Sequence, residues 1–355
     1  MSAAGGADVL DVGMVTSVGL RAATTAAAVR AGIDRFRESA IRDRRLQPIV
    51  MGHLPVADLP PLAPGLADAP RLTTRRARML RLAGAALVEV LAREDRVERI
   101  PLLLAVPGAH PGRAAPAGES FLAELATQAD RPFDVARSKV FANGRAAGLL
   151  ALAEALDRLR SGAAGRVLVG GVDTHVDLGL LAALDAEGRL RARGVREGYI
   201  PGEGAAFLLL TTPGGGRRAG REAIARVTCA AHALEPGHRY SQEPHRGDGL
   251  AAAFGRLFDA GASADPVETV YAGLNGEHLI AREWGVAHLR HGDRFAEDVA
   301  VEHPADCLGD TGAALGPMLA ALAALGVKGG YRRSPCLVWC SSDLAERGAA
   351  IVREA

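Results

Sequence analysis

The sequence is poor in cysteine, in aromatic residues and in net charge, and each shortage excludes a class of protein. Four cysteines occur in 355 residues, and their scattered spacing lacks the second pair that a zinc site needs. Aromatic residues make up 4% of the chain, which leaves few rings for stacking nucleic-acid bases. A net charge of +1 provides no general attraction to nucleic acid or to an anionic membrane.

Long apolar runs and targeting segments are also missing. No stretch reaches the ~20 apolar residues that span a bilayer, and residues 1–7 do not begin a signal peptide. The glycine run at 214–216 is not followed by the lysine and serine of a phosphate-binding loop. We therefore expect a cytoplasmic protein with reduced cysteines, no cofactor, no resident metal and no partnership with nucleic acid or membrane.

Strands and helices alternate along the chain, which predicts an α/β fold. The central stretch, residues 138–148, indicates a short strand, a tight turn and the start of a helix built from small residues. A second helix of this kind is predicted over 313–325, and such apolar helices lie inside a protein. Residues 53–70 are rich in proline and predict a surface connection rather than a core element.

The pattern restarts after a glycine-rich segment. Residues 214–221 form the best linker candidate. The order of strand, buried helix, strand and strand occurs on both sides of it. We therefore predict two similar halves, residues 1–213 and 222–355.

Several short motifs, taken in order, resemble those of one enzyme family. Gly13 to Gly19 resembles an opening strand and turn, and Val167 to Asp173 a strand that follows a buried helix. Gly202 to Ala206 matches a glycine–glutamate–glycine–alanine turn, and Gly309 to Ala314 resembles a second glycine turn. Together these motifs resemble the β-ketoacyl synthases of the thiolase fold. The resemblance implies five layers, αβαβα, with two mixed sheets around two central helices, and a dimer.

The resemblance also implies a catalytic cysteine and two histidines, and none of the three is present. Counting back from Gly170-Gly171 without gaps places the cysteine position at Arg145, whereas a small gap places it at Asn143. The first histidine position falls on Asn275 and the second on Asp310. The usual acyl-transfer chemistry is therefore predicted to be absent.

The replacements suggest a compensating interaction. A guanidinium at the start of a helix is unfavourable, and an unpaired buried one costs several kcal/mol. We hypothesise that Arg145 and Asp310 form an ion pair and that Asn275 hydrogen-bonds to one of them. Two alternatives remain: Arg145 binds an anionic ligand such as a carboxylate or phosphate, or the alignment is shifted and Arg145 faces solvent.

Weaker candidates for chemistry lie elsewhere. Glu277 and His278 offer an acid and an imidazole for hydrolysis, although a turn and helix cap is the simpler interpretation. Cys340 is a candidate relocated nucleophile next to Ser341-Ser342-Asp343, which replaces glycines expected from the resemblance. The polar loop 232–249 contains three histidines, but their spacing matches no metal-ligand pattern.

Three functions from different classes remain open. The first is a catalytically disabled synthase-like protein that acts as a chain-length-factor-like partner or accessory subunit in fatty-acid or polyketide-type biosynthesis. The second is an acyltransferase or hydrolase with non-standard catalytic residues. The third is a thiolase-fold adaptor used outside lipid metabolism, for example in protein secretion. The expected partners are a second copy or an active synthase, bound near residues 139–142, and an acyl carrier protein.

Overall fold

The computed structural model describes residues 5–67, 72–95, 97–192, 195, 197–218, 220–260 and 265–355. The strands are β1 (Ala7–Thr16), β2 (Arg37–Arg42), β3 (Pro48–Met51), β4 (Leu102–Ala105), β5 (Lys139–Phe141), β6 (Arg166–Thr174), β7 (Glu203–Thr211), β8 (Ala225–Leu234), β9 (Val267–Ala272), β10 (Phe295–Glu302), β11 (Cys336–Ser341) and β12 (Glu346–Arg353). The helices are α1 (Ala22–Arg30), α2 (Pro64–Ala67), α3 (Thr74–Val90), α4 (Ser120–Ala129), α5 (Ala147–Arg160), α6 (Leu178–Ala186), α7 (Gly215–Arg218), α8 (Asp248–Asp259), α9 (His278–Arg290), α10 (Ala305–Leu308) and α11 (Leu315–Lys328).

The two halves of the chain have the same sheet topology. The strand order is β5-β4-β6-β7-β1 in the first half and β10-β9-β11-β12-β8 in the second. When the five strands that each half contributes to the large sheet are numbered in chain order, which leaves out β2 and β3, both orders are 3-2-4-5-1. The pairings also agree, because the second strand of each half is parallel to the third and fourth, and the fifth is antiparallel to its neighbours. Antiparallel pairing of β1 with β8 joins the halves into one ten-stranded sheet. The predicted duplication is confirmed.

Five layers follow from how the helices pack on this sheet. Helices α3 and α4 cover the outer face of the first half, and α8 and α9 cover the outer face of the second. Helices α5 and α11 lie in the middle and contact strands of both halves. The largest core cluster surrounds these central helices, which explains their alanine-rich, apolar sequences. The predicted αβαβα arrangement is confirmed.

The central helices approach each other closely because small residues face the crossing. A Cβ atom added to Gly148 would lie 2.1 Å from Cδ of Pro317. Only glycine therefore fits at this point of α5. The close approach brings the first turns of α5 and α11 side by side.

The structure differs from the sequence predictions in four places. The two mixed sheets expected from the resemblance are joined through β1 and β8 into one continuous sheet. Strands β2 and β3 form a separate hairpin, and β10 is an additional edge strand of the large sheet. Among the described residues of the 53–70 segment, Leu54, Leu59 and Leu66 are buried in the core cluster that packs against α3. The segment is therefore partly a core element, contrary to the prediction, because its leucine side chains are buried among apolar residues of the same cluster, Leu66 from the short helix α2.

The predicted linker lies between β7 and β8, which belong to different halves of the sheet. It includes the short helix α7. We propose that residues 214–221 mark the boundary between the halves. Within the described part of the chain, no helix combines the length and the hydrophobicity needed to cross a bilayer.

Candidate functional site

The first turns of the two central helices meet at the carboxyl end of β6. Each helix is preceded by a 3-10 turn, Gly144–Ala146 before α5 and Gly312–Ala314 before α11. Each turn begins at a glycine with positive φ, +69° at Gly144 and +53° at Gly312, a conformation that glycine adopts without strain. These sharp turns place Arg145 beside the residues that lead into α11.

Arg145 and Asp310 form a buried ion pair. Nε of Arg145 donates a hydrogen bond of 2.7 Å to Oδ2 of Asp310, and Nη2 lies 2.5 Å from the same oxygen. The side chains are 5% and 0% exposed. The hypothesised ion pair is confirmed, and the alternative in which Arg145 faces solvent is wrong.

Asn275 hydrogen-bonds to the Asp310 carboxylate of this ion pair. Its Nδ2 donates to Oδ2 of Asp310 at 2.7 Å and also lies 3.1 Å from Oε2 of Glu277. Its Oδ1 accepts a hydrogen bond from the backbone N–H of Glu277 at 3.0 Å. The three positions singled out from the sequence, Arg145, Asn275 and Asp310, therefore converge. Their correspondence to catalytic positions of a synthase stays a prediction.

Three further residues extend the network, and the sequence analysis assigned none of them a role in it. Arg189 makes two hydrogen bonds to the Glu277 carboxylate, at 2.8 and 3.0 Å, and two to Asp343, at 3.0 and 2.8 Å. Nη1 of Arg145 donates to Asp343 at 2.9 Å. Arg239 approaches both acids, with Nη2 2.8 Å from Glu277 and Nε 3.3 Å from Asp343. Three guanidinium groups thus face three carboxylates.

The charges of the network hold one another ionised. Burial alone would raise the pKa of Asp310, but Arg145, helped by His175 and by the hydrogen bonds that Asp310 accepts, lowers it to about 2. Burial alone would lower the pKa of Arg145, but Asp310 and Asp343 raise it instead. Asp343 likewise keeps a lowered pKa despite its burial, because Arg145 and Arg189 lie beside it.

The ring of Tyr199 contacts two of the guanidinium groups. Its ring lies under both, with the centroid 5.5 Å from Cζ of Arg145 and 5.4 Å from Cζ of Arg189. Such cation–π contacts stabilise a cation that is removed from water. Burial raises the pKa of the Tyr199 hydroxyl, so this side chain contacts the two cations as a neutral group.

The side chain of Ser342 hydrogen-bonds to the backbone at the start of α5. Its Oγ accepts a hydrogen bond from the backbone N–H of Ala146 at 3.0 Å and donates one to the carbonyl of Asn143. Nδ2 of Asn143 donates to Glu346 at 2.8 Å. The unpaired N–H groups at a helix start are what would bind a developing oxyanion, and here a side chain of the protein takes one of them.

A narrow cleft of about 90 Å³ lies against the outer side of the network. Its wall includes Arg145, Tyr199 and Asp343 from the network, together with His110 and Tyr240. Small-molecule sites usually enclose ~300–1,000 Å³. The cleft therefore reaches the network but leaves little room for a ligand.

The weaker catalytic candidates lie in settings that do not favour catalysis. Cys340 is fully buried, and burial raises the pKa of its thiol, which disfavours the nucleophilic thiolate. The carboxylate of Glu277 is held by Arg189 rather than by His278, which lies exposed at the start of α9.

A histidine of the polar loop lies close to two carboxylates, but the surroundings of this cluster do not suit a metal ion. His245, Glu235 and Glu283 lie with ligand atoms within 4.8 Å of one another. The carboxylate of Glu283, however, already accepts from Arg347 at 2.8 and 2.5 Å and from Ser341 at 2.5 Å. A guanidinium in this position competes with a cation, so the cluster does not fit a metal ion.

The glycine–glutamate–glycine turn has a structural role. Glu203, at the start of β7, accepts hydrogen bonds from Arg78 at 2.5 and 2.6 Å and from Thr174 at 2.6 Å. The backbone N–H of Leu54 donates to the same carboxylate at 2.8 Å. The glutamate thus fixes the 53–58 segment and α3 to the sheet.

Comparisons with known proteins agree with this architecture. The model of the β-ketoacyl synthase N-terminal domain matches residues 143–213. No curated protein sequence matches the chain. Among solved structures, a ketosynthase/chain length factor from ishigamide biosynthesis is 17% identical, with a TM-score of 0.77, and the match covers 99% of this chain and 100% of that one.

Two further structures show the same likeness. A type II polyketide synthase acyl-carrier protein in complex with its ketosynthase gives 16% identity, a TM-score of 0.78, and coverage of 99% and 100%. The ketosynthase from module 6 of the bacillaene synthase of Bacillus subtilis 168 gives 11% identity, a TM-score of 0.80, and coverage of 99% and 72%.

The fold and the buried turn of residues 143–148 therefore define a protein of the thiolase fold. Within this fold, residues 143–213, which comprise the turn, α5, β6 and β7, are similar to the N-terminal domain of β-ketoacyl synthases.

Proposed function

We propose that this protein is a catalytically disabled β-ketoacyl synthase-like subunit. It acts by binding, as a chain-length-factor-like partner of an active synthase in fatty-acid or polyketide-type biosynthesis. The observation that carries the proposal is the closed network of Arg145, Asp310 and Asn275 at the meeting point of the two central helices.

The chemistry of these side chains supports the proposal. Acyl transfer needs a thiolate at the helix start and neutral donors for the oxyanion. A guanidinium is not a nucleophile, and the Asp310 carboxylate, whose pKa is lowered to about 2, has no proton to donate at neutral pH. Ser342 also takes the Ala146 N–H. Neither of these two requirements is met by the residues of the network.

The names of the structural neighbours support the kind of partner. One is a ketosynthase/chain length factor, and another is an acyl-carrier protein in complex with its ketosynthase. By analogy, we propose an active cytoplasmic synthase as the partner and an acyl carrier protein as a further one.

The proposed contact with the synthase is the outer edge of β5. In the described part of the chain no strand pairs with this edge, and the N–H of Val140 is held by Glu119 at 3.1 Å instead. Unpaired strand edges readily add a further strand. A second copy of the chain is the other candidate for this edge.

The absence of acyl transfer is tested by intact-mass measurement. The purified protein is incubated with a panel of acyl-CoA and acyl-carrier thioesters, with an active synthase as positive control. We expect no covalent mass gain on this chain. A gain that disappears in Cys340→Ala would contradict the proposal and move the active site to β11.

The partner is tested by co-purification with active β-ketoacyl synthases from the same organism. Val140→Asp places a charge at the β5 edge, and Val299→Asp does the same on β10, the opposite edge of the sheet. We expect only the β5 variant to lose the complex, by at least tenfold in affinity. Equal retention by both variants would exclude this edge.

A further inference from the structure

Asp343 differs from the other two carboxylates of the network in its exposure and its place in the fold. Its side chain is 26% exposed, whereas those of Asp310 and Glu277 are 0% and 5% exposed. Asp343 lies in the connection between β11 and β12 and forms part of the cleft wall. It is therefore the member of the network that solvent and ligands can reach.

The contacts of Asp343 are those of a bound anion. Oδ1 accepts from Nη1 of Arg145 at 2.9 Å, from Nη2 of Arg189 at 2.8 Å and from Nε of Arg239 at 3.3 Å. Oδ2 accepts from Nη1 of Arg189 at 3.0 Å. Guanidinium groups arranged around one carboxylate are the arrangement with which proteins recognise carboxylates and phosphates.

The cations would remain in place if Asp343 left. Arg145 is held by Asp310 and lies over Tyr199, and Arg189 is held by Glu277 and lies over the same ring. Without Asp343, three arginines would face two carboxylates, an excess of one buried positive charge. Glu187 lies 3.6 Å from Arg189, but its carboxylate is already bound by His110 and Tyr240.

We propose that Arg145, Arg189 and Arg239 form an anion-binding site that Asp343 occupies in cis, and that an external carboxylate or phosphate group takes over when Asp343 moves out. The inference rests on the proposed function in one respect, since a site that performs no acyl transfer is available for binding. It does not require the synthase partner, and it names the chemistry of the ligand that the cleft admits.

The experiment compares Asp343→Ala with wild type and with a matched control. Asp134→Ala removes a carboxylate that pairs with Arg137, whose side chain is 51% exposed, so solvent compensates there. Acetate and inorganic phosphate are added separately at constant ionic strength. Binding is followed by thermal unfolding and by titration calorimetry.

We expect saturating acetate or phosphate to raise the Tm of Asp343→Ala by about 4 °C and to leave that of Asp134→Ala unchanged. Preference for one of the two anions identifies the ligand as a carboxylate or a phosphate. Wild type should bind the same anion at least ~10-fold more weakly, because Asp343 competes for the site. Asp343→Asn, which keeps the shape of the side chain, should respond like Asp343→Ala and serves if the alanine variant does not fold.

Equal Tm responses of the Asp343 and Asp134 variants would overturn the anion site. A different result would overturn the proposed replacement of Asp343 by an external anion. In that result, Asp343→Ala binds the anion, but wild type shows no saturable binding at anion concentrations up to 100 times the variant's Kd. Either result is independent of the acylation measurement, so failure of this inference and failure of the proposed function are distinguishable.

Discussion

The 3-10 turns that lead into α5 and α11 occupy equivalent places in the two halves, yet their charged residues are opposite in sign: Arg145 lies within the first turn, and Asp310 comes just before the second. Arg145 lies at the start of α5, where the helix dipole disfavours a cation, and Asp310 lies at the start of α11, where the dipole favours an anion. Oδ1 of Asp310 also accepts from the N–H of Gly312 at 2.8 Å. The comparison shows that Asp310 has stabilising contacts besides Arg145, whereas Arg145 depends on the neighbouring carboxylates, Asp310 first among them.

Removing Asp310 is therefore expected to have the largest effect. Asp310→Ala leaves Arg145 at an unfavourable helix start with only Asp343 for compensation. Breaking a buried ion pair in this way costs ~3–5 kcal/mol of unfolding free energy, measured by urea denaturation. Asp157→Ala, which removes the exposed partner of Arg160, should cost less than ~0.5 kcal/mol. Similar costs for both variants would contradict the dependence of Arg145 on Asp310.

Removing Arg145 is expected to cost less than removing Asp310. In Arg145→Met, Asp310 keeps its hydrogen bonds from Asn275 and Gly312 and its favourable position at the helix start. We expect a loss of ~2–3 kcal/mol in the same denaturation experiment. A loss greater than that of Asp310→Ala would reverse the asymmetry between the two helices.

The stability of the protein is expected to depend on pH through Asp310. Its pKa is lowered from 3.8 to about 2, so the folded state favours the ionised form. The corresponding stabilisation is present above about pH 4 and is lost as the pH falls towards 2, a change of about 2 kcal/mol. Asp310→Asn should remove this contribution between pH 4 and pH 2. An unchanged pH dependence in that variant would assign the effect to other carboxylates.

The smallest effect is expected at Ser342. Ser342→Ala removes the acceptor of the Ala146 N–H at the start of α5 and should cost about 1 kcal/mol, as for other residues that bond to helix-start amides. Ser161→Ala removes a hydroxyl that donates to the Arg158 carbonyl at the exposed end of the same helix. It should cost a few tenths of a kcal/mol. A loss at Ser342 no larger than that at Ser161 would contradict the stabilising contact at the start of α5.

The inner pair of the site was predictable from sequence because each residue lies in a short motif. The ungapped count back from Gly170-Gly171 led to Arg145, with Asn143 as the alternative, and Gly309 and Gly312 framed Asp310. Their opposite charges then suggested the pairing. Arg189, Arg239 and Asp343 carried no such signal, although the loss of glycines at 341–343 indicated a change near the site. They meet only through the fold, across sequence separations of 154 and 104 residues.

The fold was predicted where apolar periodicity is strong and missed where it is weak. β10 has charged residues along its sequence because it is an edge strand, and charges there discourage further pairing. β2 alternates half-buried and exposed positions, and its sequence, Arg-Glu-Ser-Ala-Ile-Arg, lacks an apolar face. The buried helices and the central strands, in contrast, are almost wholly apolar.

A double-mutant cycle of Arg145 and Asp310 tests the central claim most directly. The variants Arg145→Gln, Asp310→Asn and the double substitution remove the charges but keep polar side chains, and urea denaturation gives the unfolding free energy of each. We predict that the double variant costs about 2 kcal/mol less than the sum of the two single variants, because each single variant leaves a buried charge without its partner. A coupling below ~0.5 kcal/mol would contradict the claim that this ion pair holds the first turns of the central helices together.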